Sequence, residues 1–227
     1  MAKKNPGKNT TKSHERETNW VLIGGIMAGG ILILVALLIL ATQSSDVQSI
    51  ADYCEENPES CFVLGREDAP VTIVEVADFG CSHCRDFHIE TFGALEAEYV
   101  TMGQVKIVML PFALSDATLP ASNAAVCAGQ QDQYFPFAAA LFNQYNDPTT
   151  LTRDGFIRIA GQLELEMESF EECVSEARYA SMIRDNIEVA GRNGVSSTPS
   201  FFLNGSLIKG AYPLATFQQR IDALLGS

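Results

Sequence analysis

Two thiols set two residues apart, Cys81 and Cys84, are the side chains of this sequence best suited to chemistry. Cysteines at this spacing close a short disulfide and reopen it, so Cys81-Ser82-His83-Cys84 reads as a redox motif. The attacking species in disulfide exchange is a thiolate. His83, between the two cysteines, can supply positive charge or a hydrogen bond beside that thiolate. A metal site is the other common use of Cys with His. A closed zinc site wants four ligands, however, and Cys81, His83 and Cys84 have no obvious fourth. No metal is expected.

The flanking sequence supplies the elements that must position these thiols. Val71 to Val76 is an apolar, β-branched run and predicts a buried strand that ends at Phe79-Gly80. A helix from about Ser82 to Val100 follows, with Phe87, Leu95 and Tyr99 on its apolar face and Met102-Gly103 at its end. Cys81 then lies at a helix N-terminus, where free N–H groups and the helix dipole favour negative charge. Cys84, one turn further in, is the natural resolving thiol, more buried and slower to ionise. His88 is placed on the helix surface, and Asp78 is a polar residue with no evident role. Val105 to Leu110 predicts a second strand, parallel to the first because a helix connects them. Residues 115–190 hold no convincing strand. Leu119–Gln130, Tyr134–Tyr145, Arg153–Gln162 and Ser169–Ala190 carry helical spacing instead. Ser200–Leu203, Asn204-Gly205 and Ser206–Lys209 read as a hairpin with an Asn-Gly turn, before a last helix from about Leu214 to Leu225.

The stretch from Leu64 to Cys84 resembles the start of DsbA-like, thioredoxin-fold thiol:disulfide oxidoreductases, most of all their membrane-anchored forms. Ser197-Thr198-Pro199-Ser200-Phe201-Phe202-Leu203-Asn204-Gly205 is similar to their cis-proline loop and the hairpin after it. The resemblance spans roughly residues 62–227. It implies an α/β chain: a thioredoxin fold over 63–114 and 191–227 with an all-helical subdomain inserted at 115–190. It implies that Thr198-Pro199 is cis and abuts the Cys81–Cys84 pair, with Ser82, Thr198 and Pro199 meeting substrate. Glu75, six residues before Cys81, falls where the family keeps a buried acid, and there it handles protons for Cys84. The simpler alternative for Glu75 is an exposed charge at a sheet edge. Cys127 and Cys173, the two cysteines of the insertion, are expected to form a structural disulfide; two buried free thiols are the alternative. Protein thiols are the implied substrates, a quinone-linked membrane protein the implied reoxidant, and no cofactor is implied. The best-known oxidase of the family has Pro at the position of Ser82 and Val at that of Thr198, both of which tune potential.

The chain has 227 residues and a net charge of −13, of which the first twenty carry +3, leaving −16 for the rest. An acidic domain argues against nucleic acid, which needs a basic face. Val21 to Ala41 is a run of 21 residues without charge. As a helix it is roughly 32 Å long, enough to cross a hydrocarbon core. Trp20 and the preceding basic residues predict an uncleaved signal-anchor at 21–41, a cytoplasmic tail at 1–20 and an extracytoplasmic remainder. Gly25 and Gly29 form a small-residue motif within the span. Residues 42–62 are expected to be a polar extracytoplasmic tether. It contains Cys54 and Cys61, which read as a local staple or, less simply, as a second redox pair. Six cysteines, an even number, fit an exported compartment.

Three functions follow from these residues. One is a tethered oxidase that introduces disulfides into exported proteins. A second is a reductase or isomerase of the same class. A third is a non-catalytic module that binds extended peptides or a metal, a role that has no need of two adjacent thiols.

Overall fold

The computed structural model describes residues 48–226. The basic tail, the expected membrane span at 21–41 with its Gly25 and Gly29, and the first part of the tether lie outside them. Among the described residues no helix is long and apolar enough to cross a membrane.

Helix α1, Ile50–Glu56, is capped by Ser49, whose Oγ accepts from the Asp52 N–H at 3.1 Å. Strands β1, Phe62–Leu64, and β2, Val71–Ala77, come next. The helical run α2 covers 82–100. It starts as an α-helix at Ser82–Phe87 and carries two π-helical segments, His88–Phe92 and Glu96–Val100, around Gly93–Leu95. Strand β3 is Val105–Pro111. Five helices follow: α3, Leu119–Gly129; α4, Tyr134–Asn143; α5, Arg153–Gln162; α6, Met167–Ser175; and α7, Ala180–Arg192. The hairpin of β4, Ser200–Leu203, and β5, Ser206–Lys209, leads to α8, Leu214–Leu225.

The sheet order is β1-β3-β2-β4-β5. β2 and β3 run parallel from Val71 opposite Val105 to Ala77 opposite Pro111; every other pairing is antiparallel. The outer strands are short, three residues in β1 and four in β5. The Asn204-Gly205 turn takes φ of 42° and 84°, the left-handed pair that matches strand twist in a two-residue hairpin.

β2 and β3 are covered on both faces, which is why they read as unbroken apolar runs. Ile73, Ala77, Ile107 and Met109 face α2, α8 and the inserted helices, where Phe87, Phe201 and Phe217 cluster with centroids 4.5–5.3 Å apart. Val74, Val76, Val108 and Leu110 face the other way, onto Ile50 and Cys54 of α1 and onto Val189 and Ala190 of α7. Each half-core removes several full-sized side chains from water, at roughly 1.5–3 kcal/mol apiece.

Two expectations are corrected here. The described part of the tether is not a free linker. Ile50 and Cys54, four residues apart, share one helix face and are 1% and 7% exposed against the sheet. The expected helix Ser169–Ala190 is two helices. The chain turns at Ala177, which holds φ of +48°, while the Arg178 N–H reaches back to the Cys173 carbonyl at 3.2 Å. The last inserted helix, α7, also runs past residue 190 and lies partly on the sheet.

Candidate functional site

β2 ends at Ala77, and the next residue builds the turn that presents the thiols. The buried Asp78 carboxylate accepts from the Gly80 N–H at 2.7 Å, the Leu114 N–H at 2.7 Å and the Thr118 hydroxyl at 2.5 Å. It thereby ties the turn to the segment after β3. Gly80 is required there, since a Cβ would lie 2.5 Å from Thr118 Cγ2. The Gly80 carbonyl accepts from the Tyr145 hydroxyl at 3.1 Å, which links the turn to the insertion. Arg85 lies over the Tyr145 ring, 5.5 Å from its centroid.

Cys81 is the N-cap of α2, with extended backbone; its N–H bonds the Asp78 carbonyl at 3.0 Å and its own carbonyl accepts from Arg85 at 3.1 Å. Cys81 is half-buried and Cys84 fully buried, and the two thiols are free. The Cys81 thiol is pulled from 9.0 down to about 5, first by the hydrogen bond from Cys84, with burial opposing. The backbone N–H groups of Cys84 and His83 add to this. The Thr198 hydroxyl also contributes, although it makes no hydrogen bond of ordinary geometry. Burial and the Cys81 partner push the Cys84 thiol far up, against a backbone hydrogen bond from Asp78. The two sulfurs therefore take opposite roles, with the negative charge on Cys81 and the proton on Cys84.

The Thr198–Pro199 bond is cis. Antiparallel pairing of Val76 with Ser200 brings this loop beside the end of β2, and the Thr198 carbonyl oxygen lies 3.4 Å from Cys81 Sγ. The Gly210 N–H to the Pro199 carbonyl, 2.8 Å, and the Ser200 hydroxyl to the Ser197 carbonyl, 2.7 Å, hold the loop. Thr198 is 8% exposed.

Of the residues singled out by sequence, Cys81, Cys84, Thr198 and Pro199 come together. Ser82 and His83 lie exposed on the first turn of α2, and from residue 83 it is the backbone N–H that reaches the thiolate. Glu75 is not an edge charge. It lies in the central strand β2, paired with Met109 and Phe201, and is 1% exposed on the face that Cys84 packs against. His88 is not a surface residue: its side chain is 7% exposed, and Nε2 is 2.9 Å from Glu75 Oε1. The signal for this was its position, one turn after Cys84 on the same helix face. Asp78 and Tyr145 were missed; an Asx residue two before a Gly was the available sign of the first. Cys54 and Cys61 are joined, with Cα atoms 5.5 Å apart, and so are Cys127 and Cys173, at 5.9 Å.

Comparison with known proteins is consistent across sequence and structure. The Thioredoxin family model matches residues 57–223. The "probable disulfide bond formation protein D" of Bacillus anthracis is 26% identical, covering 80% of this chain and 89% of the relative. A Na(+)/H(+) antiporter, NhaA 3 of Salinispora tropica, is 28% identical over 75% of this chain, but this chain spans only 26% of it. The crystal structure of Wolbachia pipientis alpha-DsbA1 superposes with a TM-score of 0.66 at 27% identity, covering 72% of this chain and 90% of that one.

Proposed function

The chain belongs to the thioredoxin family and is a thiol:disulfide oxidoreductase, and from that premise we propose that it is an oxidase introducing disulfides into exported proteins. In this reading residues 21–41 anchor it in the cell membrane, the N-terminus stays cytoplasmic and the catalytic domain works outside. The observation that carries the reading is the Cys81 thiol, drawn down to about 5. A stabilised thiolate favours the reduced pair and makes the disulfide a stronger oxidant.

The cycle begins with Cys81 and Cys84 joined. A substrate thiolate attacks Cys81 Sγ; the Cys81–Cys84 bond breaks and Cys84 leaves. A second substrate thiolate attacks the substrate sulfur of the mixed disulfide, and Cys81 leaves as its stable thiolate. The substrate has lost two electrons and the pair has gained them. Substrate lies extended along the Thr198–Pro199 loop and over Ser82, pairing with backbone as an added strand does. The His83 backbone N–H holds the Cys81 thiolate, and Glu75 exchanges protons with Cys84. A quinone-linked membrane protein takes the two electrons and restores the disulfide.

The test is the reduction potential of Cys81–Cys84 in the full chain, equilibrated against glutathione buffers. The oxidase reading expects a potential well above the glutathione couple. A value close to thioredoxin's, about −270 mV, reverses the direction and makes the protein a reductase.

A further inference from the structure

Cys84 is 0% exposed and strongly prefers its protonated form, so a proton must reach it whenever the Cys81–Cys84 bond opens. Glu75, which shares its face of the sheet, is 1% exposed and needs a route to solvent of its own. Glu75 Oε2 has no hydrogen-bond partner among the described residues, while Oε1 meets His88. The His88 ring is stacked between Phe92, at 4.6 Å and 19°, and Phe142, at 4.2 Å and 18°, so it is held in one orientation. The same ring lines an open groove of about 410 Å³, with Leu64, Phe92, Phe135 and Phe142 as further walls. The other titratable groups facing the pair are Tyr134 of α4, kept protonated by burial and by Glu75, and Glu96 of α2 on the groove.

We propose that His88 is the proton outlet of the site, passing protons between the buried Glu75 carboxyl and the groove. When the substrate–Cys81 bond forms and the Cys81–Cys84 bond breaks, Cys84 leaves as a thiolate and takes the Glu75 proton. Glu75 is reprotonated by His88, and His88 by water at the groove. Reoxidation runs the same transfers backwards, and no electrons pass through His88. The inference rests on thiol exchange at Cys81–Cys84 and not on its direction.

Rapid mixing of the reduced full chain with glutathione disulfide between pH 5 and 8 separates the steps. The first phase is Cys81 attacking glutathione disulfide. The second is Cys84, which must lose its proton, displacing glutathione from Cys81. His88→Ala is expected to leave the first phase unchanged, to slow the second roughly a hundredfold and to be rescued by added imidazole. His88→Gln, which fills the space and keeps a donor but cannot ionise, slows the second phase without rescue and flattens its pH profile. A second phase at the wild-type rate in His88→Gln, or no imidazole rescue of His88→Ala, overturns the proposal. Should the His88 variants not fold, Glu75→Gln decides: a slowed second phase indifferent to imidazole supports the outlet, and a wild-type second phase removes it. Absence of the first phase in the wild-type chain would instead remove the exchange reading itself.

Discussion

Cys81–Cys84 and Cys127–Cys173 are two cysteine pairs in one fold, set in opposite surroundings. Cys81 is the cap of a helix, half-buried, with N–H groups and a neighbouring thiol directed at its sulfur. Cys127 and Cys173 sit in the last turns of α3 and α6, 2% and 4% exposed, walled by the apolar side chains of the insertion. The first pair spans a single helical turn; the second closes a separation of 46 residues. Reactivity is thus decided by whether a thiolate is stabilised and reachable, while a bridge over a long separation in the core contributes stability. Cys54–Cys61 shares the burial of the second pair but not its span: both cysteines are at most 7% exposed beneath the sheet, and the bridge joins α1 to the start of β1 across seven positions.

This contrast is sharpest under substitution. Cys81→Ser is expected to abolish exchange with a model dithiol peptide, lowering the rate by more than about a thousandfold, because no other described free thiol is exposed to attack. Replacing Cys127 and Cys173 together by Ser should leave that rate in place and cost about 4 kcal/mol of stability, read by urea unfolding. Similar losses of exchange in both variants would erase the distinction between the pairs. Asp78→Ala strips the turn's three hydrogen bonds, and a loss of about 3 kcal/mol together with slower exchange is expected.

The pH dependence sharpens the comparison further. The folded Cys81 thiol titrates well below its unfolded value, so its contribution to the reduced protein is complete above about pH 9 and is lost as pH falls through about 5. Cys84 has the opposite sign: its preference for the thiol contributes fully below the unfolded value of 9.0 and is lost progressively as pH rises above it. Between pH 9 and 5 the reduced protein should therefore lose the stability that the Cys81 thiolate contributes, while Cys81 alkylation falls with a midpoint near 5. A midpoint near 9 would show an untuned thiol. The smallest effect is expected from Tyr145→Phe, which frees the Gly80 carbonyl and should cost about 1 kcal/mol without stopping exchange.

Much of the fold is legible in the residues alone. β-branched runs mark β2 and β3, Asn204-Gly205 marks the hairpin, and Cys81 at a strand-to-helix junction marks the chemistry. The parts that are not legible share a physical cause. The break between α6 and α7 falls at Glu176-Ala177-Arg178, with no Gly or Pro, because an alanine takes the left-handed position and Arg178 pairs with Glu172 and Glu176 around it. Helix α1 is hidden because only Ile50 and Cys54 carry its buried face. β1 is too short for an alternating pattern. His88 and Glu75 are polar residues paired through one carboxylate oxygen across 13 positions, and no local periodicity announces such a pair.

The short outer strands have a consequence for solubility. A sheet edge carries unpaired N–H and C=O groups and can template the stacking of other extended chains into aggregates. In this reading the protein meets substrates while they are still extended, the state in which chains recruit one another most readily. β1 offers three residues, and β5 offers four, ending in Lys209, a charged side chain of the kind that discourages such addition.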